Sequence, residues 1–268
     1  PTLLSQLDTA GDARDVQAGE SLAYVADGPQ GLVIVSLVQK TAPELRGTLY
    51  TAGDAQALAV SGTFVYIAAD DGGLQIIDSI RPATPFLVGA LAFPDGQQVM
   101  DIALVNKRAY LAVQGESQEK TGLAIVDVGF RDRPTVLSRV QGPAAGVAVR
   151  GVEPIIVGGT DLMTTDARAS SGPVVLGHYR PPLGAGGLDW AEGTLYLTSA
   201  GLGPELTLLD VKDPAHPRER LHLGLTTEGG TVITLNGRTF LAAGRRGLRS
   251  FVIGHQTPGR EQAIYDPM

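Results

Sequence analysis

The sequence repeats itself about every 42 residues, and this constrains the fold more than any single motif does. The clearest copy is Gly73-Leu-Gln-Ile-Ile-Asp-Ser-Ile-Arg-Pro-Ala-Thr-Pro-Phe-Leu-Val-Gly89. It reads as an apolar strand, a polar turn marked by Pro, and a second strand that opens at a Pro. Aligning that last Pro along the chain places it at Pro1, Pro43, Pro85, Pro134, Pro173, Pro217 and Pro258, with spacings of 42, 42, 49, 39, 44 and 41. The first two units match closely: Leu7-Asp-Thr-Ala-Gly-Asp-Ala13 corresponds to Leu49-Tyr-Thr-Ala-Gly-Asp-Ala55. A fixed period of this length, with small insertions, marks an array of one supersecondary unit.

Each unit holds four short apolar runs. In the second unit they are Ala57–Val60, Thr63–Ala68, Gly73–Asp78 and Pro85–Leu91, separated by Ser61-Gly62, Asp70-Asp71-Gly72 and Ser79–Thr84. Gly and Asp clusters form turns because they tolerate positive φ or bond their own backbone. The runs are too short for helices and rich in β-branched residues. Several, such as Leu32-Val-Ile-Val35 and Leu123-Ala-Ile-Val126, are apolar throughout, which places both faces of the strand in a core. The second-strand tyrosine recurs as Tyr24, Tyr66, Tyr110 and Tyr196, with Ile155 and Phe240 in its place elsewhere. That makes six sets of inner strands. A lone four-stranded sheet cannot cover both of its faces, but six packed face to face around an axis can. The expected fold is all-β: a six-bladed β-propeller with four antiparallel strands per blade.

Gly31-Leu-Val-Ile-Val35, Gly73-Leu-Gln-Ile-Ile-Asp78 and Gly122-Leu-Ala-Ile-Val-Asp127 resemble the repeat of the LVIVD family of β-propellers. So do the preceding Tyr-Val-Ala-Asp27 and Tyr-Ile-Ala-Ala-Asp70, and the Pro-x-x-Pro turns that follow. The resemblance is strong in units one to three and weaker in unit four, at Pro154 and Met163–Thr165. It implies a surface or secreted protein and says little about chemistry.

The chain opens on an outermost strand, Pro1–Leu7, with no inner strands before it, whereas the last unit lacks a clear outermost strand. The expectation is that Pro1–Leu7 pairs beside Gly247–Ile253 and closes the ring in the last blade. The rival is Pro258–Ile264, which is more polar and lacks the pair Leu3 and Leu7. Residues 1–253 then form one propeller, and 254–268 a C-terminal tail or the start of a linker. Beginning at Pro1, the chain reads as a mature or trimmed product, from which any signal peptide would already be gone.

Composition narrows the partners. There is no Cys, which excludes disulfides, thiolate metal sites and a Cys nucleophile. The net charge of −7 and the lack of a basic stripe argue against nucleic acid. No apolar run is long enough to span a bilayer as a helix.

In a propeller, the loops entering the inner strands share one face with the loops joining second to third strands. The repeat register puts Asp12, Asp15, Asp27, Asp54, Asp70, Asp71, Asp95, Asp101, Glu116, Glu119, Asp161 and Glu228 on or near that face, with Arg14, Lys120, Arg180, Arg245 and Arg246. Asp15, Asp101 and Asp189 start inner strands. They could bind Ca²⁺ or another hard cation at a channel mouth, as in lactonase-like hydrolases. The plainer reading is that each accepts backbone amides at a turn, since the equivalents Ala57, Gly146 and Thr231 cannot supply a carboxylate. Asp78, Asp127 and Asp210 end third strands and are expected to cap the Pro-marked turns. Trp190 reads as packing between blades, with a sugar platform as the alternative. The four histidines show no ligand spacing, and no Ser sits in a Gly-x-Ser-x-Gly elbow.

The insertion Gln114–Thr121 is the main departure from the repeat on this face, and loops that break a repeat often carry its contacts. The expected contact residues are Gln114, Glu116, Gln118, Glu119 and Lys120, with Asp70, Asp71, Arg245 and Arg246. The sequence therefore suggests a non-enzymatic extracytoplasmic module, secreted, periplasmic or on the cell surface, that binds another protein or joins a surface assembly and needs no cofactor. A Ca²⁺-dependent hydrolase is the alternative.

Overall fold

The computed structural model describes residues 5–150, 153–158, 161–166, 173–182, 184–185, 187–191, 193–199, 205–224, 232–235, 238–242, 248–252 and 260–262. They form two compact units, residues 2–141 and 142–268.

The first unit holds three four-stranded antiparallel sheets, each an up-and-down meander in chain order. Sheet one is β1 (Asp15–Ala18), β2 (Leu22–Ala26), β3 (Leu32–Ser36) and β4 (Glu44–Leu49). Sheet two is β5 (Ala57–Ser61), β6 (Phe64–Ala68), β7 (Leu74–Asp78) and β8 (Phe86–Leu91). Sheet three is β9 (Gln98–Val105), β10 (Arg108–Gln114), β11 (Gly122–Asp127) and β12 (Thr135–Gln141). These strands fall on the apolar runs of the sequence.

The second unit repeats the pattern. Sheet four is β13 (Gly146–Arg150), β14 (Glu153–Gly158), β15 (Asp161–Asp166) and β16 (Val174–Tyr179). Sheet five is β17 (Leu188–Ala191), β18 (Thr194–Thr198), β19 (Glu205–Asp210) and β20 (Arg218–Gly224). Sheet six is β21 (Val232–Leu235), β22 (Arg238–Ala242), β23 (Leu248–Val252) and β24 (Arg260–Gln262). Four-stranded meanders of this kind are consistent with a β-propeller.

Both faces of the middle strands are buried. Tyr24, Ala26, Leu32 and Ile34 pack with Leu58, Val65, Ile67 and Ile77 of the next sheet, while Ala23, Val25, Val33 and Val35 are buried on the opposite face of β2 and β3. Tyr66, Leu74 and Ile76 pack in turn with Ile102, Leu111 and Val126. In the second unit, Leu162 packs with Leu195, Leu197 and Leu209, and Leu206 and Leu208 with Val232 and Leu241. Trp190 packs against the first of these clusters, as its place in an inner strand led us to expect.

The repeat tyrosines also reach between sheets. The Ser79 hydroxyl lies 3.3 Å from Tyr24 Oη. Five sheets carry a register shift at one place, opposite Ile34/Val35, Ile76/Ile77, Ile125/Val126, Thr164/Thr165 and Leu208/Leu209. A bulge there bends the outermost strand and blunts it as an edge for pairing. Gly47 and Gly89 sit at this bulge. A Cβ at either would lie 2.1 Å from a carbonyl oxygen of the next sheet's turn, Pro82 or Arg131, so the repeat needs a residue without a side chain. Asp78, Asp127 and Asp210 cap their turns as expected, each accepting the amide two residues on, from Ile80, Gly129 and Lys212.

One expectation is corrected. Pro1–Leu7 does not pair beside β23. That strand has β22 on one edge and β24 on the other, with Ser250 opposite Gln262 and Val252 opposite Arg260. Residues 5–7 are not in a strand, and residues 1–4 lie outside the described residues. The segment expected as a tail thus supplies the outermost strand of sheet six. The sequence argument demanded apolar residues there, but outermost strands do not need them: β4, β12 and β20 are mostly exposed. Pairing uses backbone groups that every non-Pro residue carries, and a strand close in sequence has a smaller loop to close.

Candidate functional site: the loop end of the first three sheets

Within the first unit, the β2–β3, β6–β7 and β10–β11 loops and the segments leading into β1, β5 and β9 share one end of the sheets, as the repeat register anticipated. Isolated backbone bridges stitch them together. Gly28 pairs with Ala55, and Asp70, at the equivalent repeat position, pairs with Val99.

Around the first loop, Asp27 is fully buried. Its carboxylate accepts the Thr9 hydroxyl at 2.6 Å and the Gly11 amide at 2.9 Å, tying the segment before β1 to the β2–β3 loop. Arg14 reaches Asp54 at 3.0 Å and Asp12 at 3.4 Å, both in solvent-facing positions. Around the second, Gln56 Nε2 donates to Asp70 Oδ2 at 2.9 Å, and Gln75 Nε2 to the Ala52 carbonyl at 3.1 Å. Asp70 holds a φ of 50°, which Asp tolerates better than most residues. Asp71 is exposed on the same turn.

The insertion forms the third loop. A single 3₁₀ turn, Gln118–Lys120, sits between β10 and β11. Thr121 Oγ1 contacts the Gly115 and Ser117 carbonyls and accepts the Gly115 amide, closing the loop on itself. Gln97, buried at its base, donates to the Lys120 carbonyl at 2.6 Å and accepts from Arg139 at 2.8 Å. The Arg139 guanidinium lies 4.9 Å over the Phe93 ring, and partial burial pushes its pKa down. Lys120 Nζ pairs with Asp95 at 3.3 Å. Gln114, Glu116, Gln118 and Glu119 are exposed and Lys120 is half-buried. A pocket between the loop and β12, lined in part by Glu119, Lys120 and Arg139, holds about 30 Å³. That is room for a water molecule, far below the several hundred Å³ of small-molecule sites.

The carboxylates expected at a channel mouth are placed as follows. Asp15 accepts the Val16 amide at 2.8 Å with one oxygen and the Leu58 amide of the next sheet at 2.9 Å with the other. Asp101 accepts the Ile102 amide at 2.7 Å. Asp189 lies in β17, opposite Tyr196. Among the described residues no three His, Asp or Glu side chains gather so as to hold a metal ion. Arg245, Arg246 and Glu228 lie outside the described residues. Sequence reasoning missed Gln56, Gln97 and Arg139, which brace the loops, because their partners are set by packing rather than by repeat position.

Comparison with known proteins agrees with the repeat reading. The LVIVD repeat model matches residues 10–51 and 52–92. No curated protein matches the chain. Among solved structures, a protein from Lactobacillus plantarum is 13% identical with a TM-score of 0.80, covering 97% of this chain and 85% of its own. A periplasmic gluconolactonase from Pseudomonas aeruginosa is 11% identical with a TM-score of 0.80, covering 98% and 87%. A functionally unknown protein from Desulfotomaculum acetoxidans is 12% identical with a TM-score of 0.75, covering 93% and 85%. At such identities the likeness speaks for the fold alone.

Proposed function

We propose that this LVIVD-repeat protein is a non-enzymatic interaction module, secreted or displayed at the cell surface, whose loop end binds another protein or a surface assembly. In this reading the six sheets are the blades of one propeller standing around a common axis. The observation that carries it is the Gln114–Thr121 insertion. Its backbone is held by Thr121 and Gln97, while Gln114, Glu116, Gln118 and Glu119 point their polar groups into solvent. A loop ordered in advance loses little entropy on binding, and its exposed side chains are free to specify a partner. The carboxylates of Asp15 and Asp101 support the same reading, since they are used by backbone amides.

The test is site-specific photocrosslinking in envelope fractions of the source cells, with the reactive residue at Glu116 or Gln118 and, as control, at Glu20 or Gly62 on the opposite end of the sheets. The expected result is a discrete protein adduct from the loop positions alone, lipid labelling from the other end being a separate product. Equal labelling from both ends, or none from the loop, would refute the proposal. Calcium-dependent ester or lactone hydrolysis by the purified protein, lost in Asp15→Asn, would replace it with the hydrolase reading.

A further inference from the structure

The opposite end of the first three sheets has a different chemistry. The turns joining third to fourth strands lie there, at residues 37–43, 79–85 and 128–134. Each presents one large apolar side chain to solvent: Val38 is 75% exposed, Ile80 65% and Phe130 70%. The turns hold these tips in place. The Ile80 amide is bonded by Asp78, and Gly129, just before Phe130, by Asp127. Behind the tips, the first residues of the outermost strands add exposed Leu45, Phe86, Leu87, Val136 and Leu137. Scattered single apolar residues on a surface need no explanation, but one at the tip of each of three successive turns does.

Charge sorts in the same direction. Within these three turns stand Lys40, Arg81, Arg131 and Arg133, against a single carboxylate, Asp132. Arg131 is engaged with Tyr66 and Phe64, and Arg133 pairs with Asp132. Lys40 and Arg81 are exposed, as is Lys107 in the neighbouring β9–β10 turn. The loop end carries Asp12, Asp54, Asp71, Asp95, Glu116 and Glu119, of which Asp12 and Asp54 are paired with Arg14 and Asp95 with Lys120, leaving an acidic excess. The exposed carboxylates of the opposite end, Glu20 and Glu44, stand off the three tips, so that the tips themselves have cations as their nearest charged neighbours in sequence.

We propose that the Val38–Ile80–Phe130 end docks on the surface of an anionic lipid bilayer. Separate apolar tips flanked by Lys and Arg suit a membrane interface, where each tip enters the headgroup–acyl boundary and the cations meet lipid phosphates. A protein partner would favour one contiguous apolar patch with charge excluded from its centre, and here cations alternate with the tips. Docking in this sense turns the acidic end away from the negative membrane. The proposal goes beyond the interaction module above and does not depend on it, because it concerns the other end of the sheets.

The test is sedimentation of the purified chain with vesicles of phosphatidylcholine alone and of phosphatidylcholine with phosphatidylglycerol. Binding is expected to the mixed vesicles and to weaken in high salt, where charges are screened. The triple variant Val38→Ser, Ile80→Ser, Phe130→Ser is expected to bind at least about tenfold more weakly, with an unchanged melting temperature because all three side chains are exposed. In the single variant Phe130→Trp, indole fluorescence should shift to the blue and be quenched by brominated lipid. Failure of the wild-type protein to bind mixed vesicles, or full binding by the triple variant, overturns the proposal. So does a wild-type dimer in solution that the triple variant dissociates, which would make this end an interface between copies.

Discussion

Arg131 Nε donates a hydrogen bond to the Tyr66 hydroxyl at 3.1 Å, across 65 residues of sequence, and its guanidinium lies 4.0 Å over the Phe64 ring. One side chain in the turn of the third sheet thus holds two aromatic residues of the second. Tyr66→Phe should cost about 1 kcal/mol, and Arg131→Ala about 1–2 kcal/mol because it also removes the ring contact. The double variant should cost less than the sum, since the two share an interaction. Urea titration of the four proteins measures this. Strict additivity would show that the pair does not couple the sheets.

Asp27 is the buried anchor of the segment leading into β1. Asp27→Ala would strand the Thr9 hydroxyl and the Gly11 amide, and should cost about 2–3 kcal/mol. Thr9→Ala should cost about 1 kcal/mol. Proteolysis at residues 5–12 should speed up in Asp27→Ala more than elsewhere in the chain. Unchanged melting of that variant would mean the anchor is dispensable.

Asp15 separates the structural use of an inner-strand carboxylate from metal binding. Its two oxygens accept amides from its own sheet and from the next. Asp15→Ala should therefore lower the melting temperature by several degrees, and by the same amount in EDTA and in Ca²⁺. A wild-type melting temperature that rises with Ca²⁺, and a variant that does not respond, would point to a cation instead.

Tyr179 makes stability depend on alkaline pH. Burial raises its pKa, and so do its 2.6 Å hydrogen bond to Glu219 and the charges of Glu219 and Glu205. The folded protein therefore keeps the phenol protonated where the unfolded chain ionises. That contribution is complete below the ordinary phenol pKa of about 10 and is lost as pH climbs above it. Denaturation between pH 9 and pH 11 should show a decline in stability that is smaller in Tyr179→Phe. Equal declines in both proteins would contradict the assignment.

The strands, the turns between them and the caps on those turns were legible in the residues. These features are local: a run of β-branched residues prefers an extended backbone wherever it sits, and Asp78 reaches the Ile80 amide only two residues away. The repeat then multiplied each local signal, so that one well-read unit predicted its neighbours. The loop end of the first sheets followed from strand order alone.

What the chain could not disclose is which distant groups meet. Gln97 and Arg139 lie 42 residues apart, Asp15 and the Leu58 amide 43, and Tyr66 and Arg131 65. The last two pairs depend on the offset at which adjacent sheets pack, and the first on how the inserted loop folds between the innermost and outermost strands of its own sheet, properties of the assembled layers and not of any segment. The last strand shows the same limit. The repeat Pro258 marks a strand there, but Arg260–Gln262 pairs through backbone groups on an outer position where no buried face imposes a pattern, so side chains could not decide between it and Pro1–Leu7. Residue identity thus determined the repeating strands, because burial selects side chains. Tertiary structure alone decided which segment is the outermost strand of sheet six and how the loops are braced, because these rest on hydrogen bonds that only packing brings within reach.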